Sequence, residues 1–177
     1  MKTYEELERL WKDATPPSIG EGVLRGICLR RGAGRHELAE QGEVTVAEGL
    51  LGDRWKLAED PERLCQVTFM NATVADLIAH GDTPPHDAGD NFYVDLDLSE
   101  RTLPAGARIR MGTALLEVTA EPHLGCKKFN QRFGPGALRW VNHQDHRPFR
   151  LRGVNLRVLE GGTVRVGDAI TVLLGER

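Results

Sequence analysis

The chain has 177 residues, 40% of them hydrophobic, with 23 Lys and Arg against 26 Asp and Glu and a net charge of −3. This length suits one domain that buries roughly 70% of its unfolded surface, so its core needs neither a disulfide nor a metal. The charge balance excludes the basic footprint of a nucleic-acid binder, and no apolar run approaches the ~20 residues that span a bilayer. The start, Met1-Lys2-Thr3-Tyr4-Glu5-Glu6, is too acidic for a signal or transit peptide. Cys28, Cys65 and Cys126 are odd in number and far apart. That pattern fits neither a disulfide framework nor a four-thiolate zinc site, and it predicts a reducing, cytoplasmic setting.

In chain order, Thr3 and Glu6 have the capping-box spacing, and Leu7, Leu10 and Trp11 share a helical face. A short amphipathic helix to Asp13 is predicted. Thr15-Pro16-Pro17-Ser18-Ile19-Gly20 cannot continue it, because proline lacks the amide donor and disfavours helical geometry in the residue before it. Residues 1–19 therefore read as helix and linker, and residues 20–174 as the main body.

That body is mostly strand, with β-branched or alternating segments at 22–30, 42–46, 64–69, 107–111, 114–119, 153–159, 164–166 and 169–174. Glycine turns such as Met111-Gly112-Thr113 and Val166-Gly167-Asp168 separate them. A helix capped by Asn71 or Thr73 carries Val74, Leu77 and Ile78. Residues 127–133 and 135–142 form two short helices parted by Gly134, and 81–90 is a loop. The fold class is mainly β with a few short helices, a barrel or a sandwich. Leu24 to Arg30 resembles Leu151 to Arg157, and Gly106 to Leu115 resembles Gly161 to Ile170, so similar strands are expected at similar positions of one barrel.

The chemistry concentrates in Glu121-Pro122-His123-Leu124-Gly125-Cys126-Lys127-Lys128-Phe129, which joins a strand to a helix. Cys126 falls at the helix start, where free amides and the helix dipole favour an anion. Lys127, Lys128 and a protonated His123 add positive charge. All of these favour the thiolate, the form required of a nucleophile or of a soft metal ligand. Cys28 and Cys65 sit in apolar strand segments and read as buried hydrophobes.

With these pieces in place, the order of motifs resembles the MOSC family, the molybdenum cofactor sulfurase C-terminal domain, from Gly20 to about Leu174. The motifs are Gly52-Asp53-Arg54, then Gly89-Asp90-Asn91-Phe92-Tyr93-Val94 with Asp97-Leu98, then Leu103 through Thr119. The cysteine loop follows, and then Leu151-Arg152-Gly153-Val154 through Val166-Gly167-Asp168. The resemblance implies a β-barrel like that of pyruvate kinase and a molybdenum cofactor ligated by Cys126. It also implies reduction of N-hydroxylated compounds such as hydroxylamines and amidoximes.

For the cofactor phosphate, Arg54, Arg152, Lys127, Lys128 and Arg139 are the candidate cations, with His123 beside them. The Asn91 amide can serve either the cofactor or the loop backbone. Asp53 reads as a turn-former or an arginine partner. The chain departs from the family pattern at Trp55, where many relatives have histidine, and at Asp90, where Glu is more usual. It has neither the extra amino-terminal β domain of longer reductases nor a ferredoxin-like cysteine cluster, so a reductase of this kind implies an external electron donor and a small-molecule substrate. A sulfur carrier holding a persulfide on Cys126 and a non-catalytic binding module are the alternatives. His143-Gln144-Asp145-His146 and the His80 and His86 pair read as surface loops rather than metal sites. Glu160-Gly161-Gly162-Thr163 reads as a hairpin turn.

Overall fold

A computed structural model describes residues 1–173, the side chain of Leu57 excepted. Helix α1 (Tyr4–Asp13) opens on the expected capping box. The Glu6 amide donates to Thr3 Oγ1 at 3.2 Å, and the Thr3 amide donates to the Glu6 carboxylate at 2.7 Å, which satisfies two otherwise orphaned donors.

The strands are β1 (Glu21–Arg30), β2 (His36–Ala39), β3 (Gln41–Thr45), β4 (Gly49–Leu50), β5 (Val67–Asn71), β6 (Phe92–Asp95), β7 (Arg108–Met111), β8 (Ala114–Val118), β9 (Val154–Glu160), β10 (Gly162–Arg165) and β11 (Ala169–Leu173). Residue 174, the last of the expected final strand, lies outside the described residues. Seven strands hydrogen-bond in the order β11-β7-β8-β9-β5-β6-β1, and β1 returns to β11 with Glu21 opposite Thr171. The ring is therefore a closed barrel, which leaves these seven without open edges. Its pairings are antiparallel except for β5 with β6, where Phe69 faces Phe92. Strand β2 extends from β1, and β10, β3 and β4 make a small second sheet.

Helices α2 (Ala72–Ile78) and α3 (Lys127–Asn142) cover one side of the barrel. Asn71 caps α2 by accepting from the Val74 amide at 3.1 Å. Gly134, at φ 85° and ψ 170°, interrupts α3 where the sequence predicts a break. Two apolar clusters result. Leu24, Ile27, Phe69, Phe92 and Leu156 fill the barrel, while Leu7, Cys28, Met70, Phe129, Phe133 and Trp140 pack between barrel and helices. Every residue of β5 is buried because Phe69 points into the barrel and Met70 points under the helices.

Several expectations change. The segment expected as a strand at 64–69 begins only at Val67, because the Asp60 carboxylate takes the amides of Leu64 and Cys65 at 2.9 and 2.8 Å and holds them in a turn. Cys65 is consequently half-buried rather than a core strand residue. Strands β2, β4 and β6 are additional. The first is largely exposed, the second has two residues, and the third is covered on both faces, so none shows the alternation that marks a strand in sequence. The two similar segments Gly106 to Leu115 and Gly161 to Ile170 are not equivalent in space, since β10 belongs to the small sheet. His146 is not on a surface loop: it is 4% exposed, with Nδ1 2.7 Å from the Trp140 carbonyl and Nε2 3.0 Å from Glu8 of α1. Among the described residues, no helix is long and apolar enough to cross a membrane.

Candidate functional site

The site is assembled where β6 starts, where the loop after β8 reaches α3, and where the chain enters β9. Asn91 builds the first of these. Its amide donates to Thr68 Oγ1 at 3.0 Å, its side-chain oxygen accepts from the Thr68 amide at 3.2 Å, and its Nδ2 donates to the Cys28 carbonyl at 3.4 Å. Asn91 is fully buried, and these bonds to Thr68 and Cys28 stitch β6 between β5 and β1.

That stitching fixes Asp90, which is also fully buried. One carboxylate oxygen meets His123 Nε2 at 2.7 Å and the other accepts from Arg152 Nη1 at 2.5 Å. Arg152 also donates to the Ala88 carbonyl at 3.0 Å and lies over the Phe129 ring, 5.2 Å from its centre. Burial pushes the Asp90 carboxyl up, but the Arg152 charge and the His123 hydrogen bond overcome it and hold it at about 2. Asp90 is therefore ionised at neutral pH. Burial and the Arg152 charge push the His123 imidazolium below the ordinary histidine value, against the pull of Asp90. In the sequence Asp90 stands out only as a departure from the family pattern. The signal that could have found it is its place beside Asn91, since a buried carboxylate needs cationic or hydrogen-bonding partners such as His123 and Arg152.

The cysteine loop is held from below. The Gly125 amide donates to Asn142 Oδ1 at 2.8 Å, and Asn142 Nδ2 returns a bond to the Gly125 carbonyl at 3.0 Å. A side chain at Gly125 would press on Leu138, Val141 and Asn142, so glycine there lets the loop lie this close without moving those side chains. Asn142 is a second residue that the sequence does not mark as functional, since it reads there only as a helix end. Held this way, Cys126 becomes the residue that precedes the first turn of α3, exposed to solvent.

The Cys126 sulfur makes no capping hydrogen bond. Partial desolvation pushes its thiol up, but the amides of Phe129 and Lys128 and the charges of Arg152 and Lys128 outweigh that, and the net direction is down. Cys28 goes the other way. Desolvation, reinforced by the Asp90 charge, pushes it up to about 12.

A cleft of about 290 Å³ opens beside this loop. Its lining includes His123, Leu124, Arg147, Arg150 and Arg152, together with the acidic residues Glu100 and Glu121. Of the residues expected at a site, His123 and Arg152 are thus brought together in one cleft. Cys126 stands two residues beyond Leu124, outside that lining, and Lys127 and Lys128 are exposed on the first turn of α3. Arg54 is exposed on the short helical turn Arg54–Leu57. Its neighbour Asp53 combines both roles expected of it, accepting from the Trp55 amide at 3.0 Å and pairing with Arg30 at 2.7 Å. Trp55 keeps a polar contact, donating from its ring to Asp60 at 3.0 Å. Arg139 stacks over the Tyr4 ring of α1, 5.0 Å from its centre.

The fold matches known structures. The YuaD protein from Bacillus subtilis superposes with a TM-score of 0.61 at 17% identity, over 90% of this chain and 100% of that one. YiiM from Escherichia coli superposes with a TM-score of 0.59 at 17% identity, over 87% of this chain and 71% of its own. YiiM from Geobacillus stearothermophilus gives 0.53 at 17% identity, over 90% and 76%. No curated protein matches the chain. The MOSC domain family model matches residues 62–171, a stretch that runs from the turn before β5 into β11 and contains the Asp90, His123, Cys126 and Arg152 positions. Since that match spans more than half of its length, the chain belongs to the MOSC domain family.

Proposed function

We propose that this chain binds molybdenum cofactor through Cys126 and reduces N-hydroxylated compounds such as hydroxylamines and amidoximes. The observation that supports this most is an exposed thiol before the first turn of α3, in surroundings that favour its thiolate, beside a cleft that carries His123 and Arg152. A thiolate is a soft donor of the kind such a metal takes. Among the described residues no three His, Cys, Asp or Glu side chains converge as a metal cage. The donor set therefore fits a group that brings most of its own ligands, as a dithiolene cofactor does. When bound, that group supplies the two-electron chemistry of N–O bond reduction.

The remaining work falls to residues of the chain. Asn142 holds the loop so that the thiolate faces out. Lys127, Lys128 and Arg54 offer exposed cations for a phosphate, Arg152 adds a buried one, and His123 shapes the cleft wall. In this role Asn91 frames the site through the backbone rather than by direct contact. The substrate is a small molecule, and electrons come from an external donor.

Protein made in a host that synthesises the cofactor is expected to carry stoichiometric molybdenum and pterin, read by elemental and fluorescence analysis. Cys126→Ser is expected to lose both with its circular dichroism and thermal unfolding nearly unchanged. Unchanged cofactor content in that variant overturns the proposal.

The exposure of Cys126 outside the cleft lining favours a second reading, sulfur transfer. Here the Cys126 thiolate attacks the outer sulfur of a donor persulfide, the donor leaves as a thiolate, and Cys126 carries the persulfide onward. Cyanide-labile sulfur on Cys126 without molybdenum would select this reading over the first.

A further inference from the structure

The ring of His123 has an inner and an outer edge. The Nε2 and Cδ2 edge is turned inward: Nε2 meets Asp90 at 2.7 Å, and a side-chain carbon placed on Gly153 would sit 3.3 Å from Cδ2. That same carbon would collide with the Phe69 carbonyl, so glycine at 153 is what lets this backbone, with the ring beside it, lie against β5. Nδ1 is on the opposite edge. It makes no hydrogen bond among the described residues, and it is not among the buried polar atoms that lack a partner, so it retains some exposure on a residue that lines the cleft.

The protonation pattern follows from the partners. Arg152 can only donate, so Asp90 accepts from it as a carboxylate, and a carboxylate can only accept. Nε2 must therefore carry the hydrogen, and in the neutral ring the lone pair is left on Nδ1. We propose that His123 Nδ1 is a fixed hydrogen-bond acceptor in the cleft, favouring ligands that present an O–H or N–H donor such as an N-hydroxyl group, and that Asp90 is the positioning residue that fixes this tautomer. This rests on the reductase reading for its ligand class but not for its geometry. The depressed imidazolium of His123 keeps the ring neutral and accepting at neutral pH.

Asp90→Asn makes the idea testable. Because Arg152 can only donate, the oxygen of the introduced amide must face it, which turns the amide NH₂ toward His123 Nε2. That ring nitrogen must then accept, and the hydrogen moves to Nδ1, so the cleft faces a donor instead of an acceptor. Long-range ¹H–¹⁵N correlation spectra of the full chain, with His123 assigned against His123→Gln, read this directly. The wild type is expected to show the Nε2–H tautomer at pH 7.5, Asp90→Asn the Nδ1–H tautomer, and Asp90→Glu the Nε2–H form again. Benzamidoxime, used as the probe on metal-free protein, is expected to move the His123 Nδ1 resonance in the wild type and not in Asp90→Asn.

An Nδ1–H tautomer or an imidazolium in the wild type overturns the proposal, as does an Nδ1 resonance indifferent to the probe. If Asp90→Asn fails to fold, the wild-type tautomer and probe response still decide the matter. Failure of the reductase reading shows separately, as protein from a cofactor-competent host that contains no molybdenum or pterin.

Discussion

Strand β1 and the start of α3 each carry a cysteine, and the two thiols have opposite chemistry. Cys28 lies under the helices, where desolvation and the Asp90 carboxylate push its thiol up to about 12. Cys126 stands in solvent, where amides of the first turn of α3 and the Arg152 and Lys128 charges pull it down. The buried ion pair of Asp90 and Arg152 acts on both. Its negative member works against the Cys28 thiolate, and its positive member works in favour of the Cys126 thiolate. Reactivity here is set less by residue type than by burial around the one sulfur and backbone amides around the other, and the two opposite charges add to each effect.

The largest expected effect is the contrast in reactivity. At pH 7.5, iodoacetamide should modify Cys126 at least about 10³-fold faster than Cys28, since only thiolate reacts and Cys28 is almost wholly protonated. Peptide mass spectrometry over a time course reads both rates, and comparable rates would break the comparison.

Removing the carboxylate attacks the cluster itself. Asp90→Ala leaves the Arg152 charge buried and unpaired, and should cost about 3–5 kcal/mol in urea unfolding. The pH dependence gives the same test a sign. The folded Asp90 carboxyl sits at about 2, below its ordinary 3.8, so its stabilisation is complete above pH 4 and is lost as pH falls toward 2. That contribution is on the order of 2 kcal/mol. The variant should lack that acid limb. An unfolding free energy with the same pH dependence in both proteins would remove Asp90 from the account.

A smaller effect sharpens the other side. Asn142→Ala removes both bonds to Gly125 and should cost about 1–3 kcal/mol. It should also slow Cys126 alkylation several-fold as the loop leaves the first turn of α3, while Cys28 stays as it was. Unchanged alkylation of Cys126 would show that the loop holds its place without Asn142.

Much of this was legible in the sequence because the signals are local. The Thr3 and Glu6 spacing, the Asn71 cap, the break at Gly134 and the cysteine placed at a helix start all act within a few residues of one another, and each is found in the structure. The motif order likewise led to the family and to a closed barrel. Signals also failed where a distant partner overrides local pattern. His146 has the sequence surroundings of a loop histidine, but Glu8, far back in the chain, covers it. Strand β6 carries no alternation because both of its faces are buried.

The site divides along the same line. That Cys126 follows a glycine loop and begins a helix is readable from the residues alone, because amide geometry over three or four residues is a property of the local chain. The cluster of Asp90, His123 and Arg152 exists only in the folded barrel, where β6, the loop after β8 and the entry to β9 bring together residues 33 and 62 positions apart. The fold likewise joins Asn91 to Thr68 and Cys28 on the neighbouring strands and sets Arg139 over the Tyr4 ring. Side chains of this kind choose their partners only after burial has removed water as the alternative, and burial is a property of the whole fold.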